Sequence, residues 1–174
     1  MTDTDYIERL FQKYKKRGIF IDTNILVLWC VGKVNKSRIS QFNRTEKFLP
    51  EDYDTLLAIL NYFSGIVTTP NILTEVNSLV NQIGEPERSR CLQVLAQEIT
   101  KLSEFYIDSV TLAKIDKFAK FGLTDCGIIH LAKNRYLVLT DDFRLSNYLQ
   151  IIGIDTLNFN NIRPYGWKKL KKSN

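Results

Sequence analysis

Apolar residues recur along the chain in two patterns that alternate from one end to the other. Apolar positions three and four residues apart predict amphipathic helices, and short apolar runs bounded by glycine or polar residues predict buried strands. The predicted helices are 5–16, 24–31, 51–63, 70 onward, 86–102, 111–120, 125–134 and 142–152. The predicted strands are 18–22, 65–68, 136–140 and 155–159, with 105–110 either another short strand or an extended link. The polar stretch 32–50 predicts a loop, and Thr69 followed by Pro70 marks the start of a helix.

Strands that alternate with crossover helices predict an α/β fold with a mainly parallel sheet covered by helices on both faces. The chain has 174 residues, 44% of them hydrophobic and 25% charged, which is the size and composition of one globular domain. We therefore expect a single three-layer domain. The longest apolar run, 25–31, is shorter than the roughly 20 residues of a membrane span, so we expect a soluble cytoplasmic protein.

The cysteines and the histidine argue against zinc chemistry. Cys30, Cys91 and Cys126 are an odd number, widely spaced, and each lies among apolar residues, which predicts free buried thiols rather than a disulfide or a zinc site. His130 is the only histidine. It lies about 140° around its predicted helix from Asp125, so it points away from that acid.

The net charge of the chain favours a polyanionic partner. The formal charge is +5 at pH 7, with basic residues spread from 13–17 to the tail 164–174. The tail combines two aromatic residues with four lysines, a composition that could stack on bases and contact phosphates. The same residues could instead close the core and form a solvated basic end.

Several acids occur within or beside the most apolar segments. Asp22 ends the strand 18–22, and the pair Asp141-Asp142 follows the strand 136–140. Because parallel strands end at the same edge of a sheet, these acids should lie near one another, at the edge where such folds place their sites.

Two further acids lie on helices with an apolar face. Asp125 shares a helix face with Ile128, Ile129 and Ala132, at the spacing i, i+3, i+4 and i+7. Glu75 borders the apolar stripe of the helix that follows Pro70, where its longer side chain can reach a shared cleft.

Carboxylates beside a core carry a desolvation cost and repel one another unless a cation gathers them. Mg²⁺ and Mn²⁺ prefer oxygen ligands, and one or two such ions activate water and stabilise charge developing on a phosphodiester. The acids therefore predict metal-dependent phosphodiester hydrolysis. Taken singly, each aspartate could instead begin a helix, where its carboxylate contributes about 0.5 to 2 kcal/mol, and Glu75 could be an exposed helical residue. The predicted location of these acids at one edge of the sheet favours a metal site over these structural roles.

These segments together resemble the PIN-domain nuclease family over about residues 18–159. The resemblance implies a five-stranded parallel sheet, an acidic Mg²⁺ or Mn²⁺ site, and cleavage of single-stranded or structured RNA. It implies catalytic metal ligands at Asp22, Glu75, Asp125 and Asp142. It implies supporting roles for three further positions, Asn24, Thr140 and Asp141, with Asp141 at the variable place of the family's Thr-any-Asp pattern.

The chain departs from the compact toxins of toxin-antitoxin pairs that share this domain. It has an extra N-terminal helix at 5–16 and a longer region at 32–63. The resemblance leaves open that the chain is a toxin or defence effector whose partner is an antitoxin or another regulatory protein. It also leaves open that the chain forms a homodimer. The 32–63 region could form a substrate wall, a dimer contact or a docking surface.

Three other functions compete with the ribonuclease prediction. A structure-specific DNA nuclease of related fold would generally need further acids and a helical element that grips DNA. A catalytically silent PIN-like module would bind RNA or protein through the same fold. A phosphoacceptor signalling domain would need a lysine after a later strand, and none follows the strands 136–140 or 155–159.

Overall fold

The computed structural model of the chain describes residues 3–166, and its centre is an open parallel sheet. The five strands are β1 (Ile19–Ile21), β2 (Ile66–Thr68), β3 (Ser103–Glu104), β4 (Leu137–Thr140) and β5 (Thr156–Asn158). Their order across the sheet is β3-β2-β1-β4-β5, and every neighbouring pair is parallel. The predicted α/β fold class with five parallel strands is confirmed.

Helices occupy most of the remaining chain. They are α1 (Asp3–Tyr14), α2 (Thr23–Val34), α3 (Pro50–Tyr62), α4 (Pro70–Val80), α5 (Glu87–Ile99), α6 (Ser109–Ala113), α7 (Phe118–Ala132), α8 (Phe143–Ile151) and α9 (Phe159–Ile162). Short 3₁₀ helices span Lys36–Gln41 and Arg163–Tyr165. No helix within residues 3–166 is long and apolar enough to cross a lipid bilayer.

The strand order explains why helices cover both faces of the sheet. The chain moves outward from β1 to β2 and β3, then returns past β1 to β4 and β5. Because crossovers between parallel strands are right-handed, the helices of the two halves lie on opposite faces. On one face α2 packs against α3, α4 and α5, and on the other α7 packs against α6 and α8 and also contacts α4. The three-layer arrangement is therefore as predicted.

The core is built from strands and one helix that are apolar on every side. All side chains of β1 and the apolar ones of β4 are fully buried. Helix α2 is buried from Ile25 to Val31, because it lies between the sheet and three other helices. Cys30, Cys91 and Cys126 are buried free thiols, as predicted.

The structure corrects the predicted boundaries in the first half of the chain. Helix α1 spans Asp3–Tyr14 rather than 5–16. The predicted loop 32–50 is wrong in its first part, because α2 continues to Val34 and a 3₁₀ helix follows at once. Helix α2 ends and the 3₁₀ helix begins at Asn35, whose side chain accepts a hydrogen bond from the Ser37 N–H.

The region before β4 differs more from the prediction. Strand β3 precedes the stretch 105–110, and Asp108 rather than Thr111 caps α6. Helix α7 begins at Phe118 instead of Asp125, and Gly122 interrupts it with a φ of 72°, a conformation that favours glycine. Asp125 therefore lies one turn after an internal break. The predicted basic tail lies outside the described residues from position 167 onward.

Candidate active site

The four predicted ligands line one cleft at the edge of the sheet where β1 and β4 end. The cleft has a volume of about 150 Å³. Its walls are formed by Asp22, Thr23, Asn24, Glu75, Leu79, Asp125, Asp142 and Leu145. The structure thus brings together acids from four separate segments of the chain, and their role as metal ligands stays a prediction.

Asp22 is the most rigidly held of the acids. It follows β1 directly and caps α2, with its Oδ1 accepting a hydrogen bond from the Ile25 N–H at 3.0 Å. Its Oδ2 accepts a short hydrogen bond from the Thr140 hydroxyl and another from the Asp141 N–H at 3.3 Å. Burial, and next the Asp141 carboxylate, raise the pKa of Asp22 to about 7, although these three donors oppose the shift.

Asp142 begins the next helix along the sheet edge. It caps α8, and its Oδ1 accepts hydrogen bonds from the N–H groups of Arg144 at 2.7 Å and Leu145 at 3.1 Å. Its own N–H donates to the Thr140 hydroxyl oxygen at 3.0 Å. Thr140 is fully buried behind the cleft, where its one hydroxyl connects Asp22 to Asp142. Within residues 3–166, no hydrogen bond engages Asp142 Oδ2.

Glu75 is held across the cleft by two threonines. It lies in the second turn of α4, which begins at Pro70 after the Thr69 cap, as predicted. Its Oε2 accepts a hydrogen bond from the Thr23 hydroxyl at 2.8 Å, and its Oε1 accepts one from the Thr124 hydroxyl at 2.6 Å. The two threonines come from α2 and α7, so Glu75 connects both of these helices to α4.

Asp125 is the least supported acid of the cleft. Its side chain is partly buried and has no hydrogen-bond partner in the described part of the chain. Burial, and then the carboxylates of Asp142 and Glu75, raise the pKa of Asp125 to about 7, whereas the Arg144 guanidinium lowers it. Both of its oxygens are therefore available acceptors beside two other acids.

Asp141 does not line the cleft, although it adjoins Asp142 in sequence. Its side chain is fully buried and forms an ion pair with Lys47, whose side chain is 49% exposed. Its Oδ1 accepts a hydrogen bond from the Asn24 amide at 3.1 Å, and its carbonyl accepts one from Asn160 at 2.8 Å. Asn24 therefore contacts a buried acid behind the cleft while it also forms part of the cleft wall.

The donor set suits a hard divalent cation in chemistry and charge. The cleft holds four carboxylates, and two of them have raised pKa values that a bound cation would lower. Among residues 3–166, however, no three His, Cys, Asp or Glu side chains are arranged closely enough to hold an ion as they stand. The threonine and backbone donors engage three of the four acids, Asp22, Glu75 and Asp142. The metal site consequently stays a prediction.

The sequence prediction overlooked three polar residues near the cleft. Thr23 and Thr124 orient Glu75, and each lies next to an acid in the sequence, as Asp22-Thr23 and Thr124-Asp125. The sequence could have indicated both threonines, because each adjoins a predicted site acid. Lys47 reaches Asp141 from a turn 94 positions earlier in the chain, and nothing in the sequence around it indicates the contact.

The arrangement provides an acidic cleft with acceptor oxygens that no donor of the described chain uses. Asp125 and the Oδ2 atom of Asp142 supply these oxygens, while Asp22 and Glu75 are fixed around them. A larger cavity of about 490 Å³ lies near α1 and β5, and none of the described residues that line it is acidic. His130 is exposed and does not line the cleft. Comparisons of the chain with protein-family models, with curated proteins and with solved structures found no match.

Proposed function

We propose that the chain is a metal-dependent nuclease that hydrolyses phosphodiester bonds in RNA. The observation that carries the proposal is the convergence of Asp22, Glu75, Asp125 and Asp142 on one cleft at the carboxyl ends of β1 and β4. Capping of helices accounts for Asp22 and Asp142, but it does not account for Glu75 and Asp125 facing the same space. The net charge of +5 supports a polyanionic substrate, and the resemblance to PIN-domain nucleases supports RNA.

The ligands of the proposed ion are the four cleft carboxylates. Bound Mg²⁺ or Mn²⁺ would supply the positive charge that activates a water molecule and stabilises charge on the phosphodiester. The chain itself fixes the carboxylates. The Thr140 hydroxyl and two N–H groups set the orientation of Asp22, and two threonine hydroxyls hold Glu75 on the opposite wall.

No basic side chain of the described residues is ion-paired with a cleft carboxylate. Asp141, behind the wall, is paired with Lys47. The Arg144 guanidinium acts on Asp125 only through its charge. A site whose acids lack a protein counter-ion is suited to take its counter-charge from a metal ion.

A single metal titration tests the proposal. Purified protein is incubated with labelled single-stranded RNA, structured RNA and DNA over a range of Mn²⁺ and Mg²⁺ concentrations. We expect RNA cleavage that requires the metal, stops on chelation, and is lost in Asp22→Asn and Asp125→Asn proteins that remain folded. Asp116→Asn, whose side chain is 90% exposed, is the matched control and should retain activity. Equal behaviour of wild type and Asp125→Asn on all three substrates would refute the proposal.

A further inference from the structure

We infer that the turn at residues 43–47, called here the basic wall, binds the phosphate backbone of the nucleic acid beside the acidic cleft. This inference rests on the proposed function and assigns a role to part of the 32–63 region. The substrate of such a site is a polyanion, and the four cleft carboxylates repel it. A nuclease of this kind therefore needs cationic groups next to the cleft that hold the strand in place.

The basic wall has a cavity of its own that adjoins the cleft. This cavity has a volume of about 260 Å³ and is lined by Asn24, Asn43, Arg44, Glu46 and Lys47. Asn24 also lines the acidic cleft, so the two spaces share one wall residue. A strand whose scissile phosphate lies in the cleft would place a neighbouring phosphate at the cavity.

The turn is anchored so that its polar side chains face outward. Phe42, Thr45 and Phe48 are buried, with the Thr45 hydroxyl donating to the Ile39 carbonyl at 2.7 Å. The Thr45 N–H donates to the Phe42 carbonyl, and the Phe48 N–H donates to the Thr45 carbonyl, both at 2.8 Å. Because every third side chain points inward, the four residues between them are presented on the exposed side.

Both basic side chains of the wall are held in place while remaining partly exposed. The Lys47 ammonium is fixed by the buried Asp141 carboxylate, yet the side chain is 49% exposed and lines the cavity. Arg44 donates from Nε to Gln82 Oε1 at 3.1 Å, and its terminal nitrogens have no partner within residues 3–166. A guanidinium with free terminal N–H groups is a suitable phosphate ligand.

Glu46 is the one acid among the residues that line this cavity, and it gives the proposal a test of opposite sign. Removing a positive charge from the wall should weaken RNA binding, whereas Glu46→Gln should strengthen it. A general loss of folding would not produce effects of opposite sign from neighbouring residues.

The experiment measures binding of a labelled single-stranded RNA by fluorescence anisotropy, with Mg²⁺ and with Asp125→Asn as the background protein. The variants are Arg44→Gln, Glu46→Gln, and Lys47→Gln combined with Asp141→Asn, so that no buried charge is left unpaired. Arg44 is exposed, so its variant keeps the test decisive if the double variant fails to fold. Lys133→Gln, at the end of α7 that leads into β4, is the control on the opposite edge of the sheet.

We expect Arg44→Gln to lower the slope of log Kd against log salt by about 0.7, or about fivefold in affinity per tenfold change in salt. The double variant removes one positive and one negative charge together, so it should lower the slope by a smaller amount. Glu46→Gln should tighten binding, and Lys133→Gln should leave it unchanged. The inference would be overturned if both basic variants kept the slope of the wild type. It would also be overturned if the substitutions changed the oligomeric state without changing the slope, or if the protein did not bind RNA.

The outcomes also separate this inference from the proposed function. Altered slopes without metal-dependent cleavage by the wild-type chain would support the basic wall and refute the nuclease. Cleavage with unaltered slopes would support the nuclease and refute the basic wall.

Discussion

Replacing Asp125 by asparagine should stabilise the metal-free protein, and the gain should increase with pH. Burial, and then the carboxylates of Asp142 and Glu75, raise the pKa of Asp125 from 3.8 to about 7. The folded chain therefore binds this proton more tightly than the unfolded chain. Consequently the free energy of unfolding of the wild type falls as pH rises from about 4 to about 7, and the loss is complete above that range. Asparagine keeps the shape of the side chain without the charge.

The size of the effect follows from the pKa. A pKa of about 7 against 3.8 corresponds to about 4 kcal/mol once Asp125 is ionised in the folded state. At pH 5 the Asp125 carboxyl of the folded chain is still protonated, and it lowers the free energy of unfolding by less than about 2 kcal/mol. Solvent reaches part of the side chain and screens its charge, so we expect the advantage of Asp125→Asn to grow by about 1 to 3 kcal/mol between pH 5 and pH 8.

The assay is urea unfolding followed by circular dichroism at pH 5, 6, 7 and 8, in the presence of a chelator. Wild type, Asp125→Asn and the exposed control Asp116→Asn are compared at each pH, with the slope m checked for constancy. The difference between wild type and Asp116→Asn should not depend on pH. A difference between wild type and Asp125→Asn that is the same at pH 5 and pH 8 would show that the Asp125 carboxylate is not desolvated beside other acids, and would refute the reasoning.

Two further substitutions test the support of the cleft and the packing beneath it. Thr140→Val should lower the free energy of unfolding, measured by urea unfolding, by about 1 to 3 kcal/mol. The reason is that the buried Thr140 hydroxyl donates a hydrogen bond to Asp22 and accepts one from the Asp142 N–H. Gly32→Ala should destabilise by about 1 to 3 kcal/mol in the same assay, since the added Cβ would lie 2.1 Å from the Tyr53 ring.

Matched substitutions elsewhere provide the controls. Thr74→Val makes the same chemical change on the exposed face of α4 and should change stability by less than about 0.5 kcal/mol. Gly84→Ala adds a Cβ with no atom within 4 Å and should be similarly mild. If Thr140→Val and Gly32→Ala were no more destabilising than these controls, the buried contacts assigned to Thr140 and Gly32 would be wrong.

The elements that local chemistry determines could be predicted from the sequence. Strand β1 is an apolar run that ends before Asp22, and α4 begins where Thr69 and Pro70 indicate. The edge of the sheet at which Asp22 and Asp142 lie follows from parallel strands alone. Asp125 was included in the predicted site because an acid on the apolar face of a helix is unfavourable unless it has a function there.

The elements that depend on distant contacts could not be predicted in the same way. Asp125 suggested a helix start, but one helical segment already begins at Phe118, and Gly122, with a φ of 72°, separates it from a second segment that contains Asp125. Thr111 suggested a cap for α6, yet it donates both its N–H and its hydroxyl to Asp108, three positions earlier. The ion pair between Asp141 and Lys47 joins segments whose proximity depends on the whole fold.

Asp22 and Asp142 each combine a helix cap with a place in the cleft, and this has a consequence for mutational scanning. An alanine at either position removes the cap, at a cost of about 0.5 to 2 kcal/mol, together with the charge, so inactivity would report on folding as much as on chemistry. An isosteric amide keeps an acceptor for the first turn and separates the two effects. The same coupling constrains evolutionary drift. A descendant of this chain that lost the proposed activity but kept its fold should carry asparagine, serine or threonine at these two positions rather than an arbitrary residue.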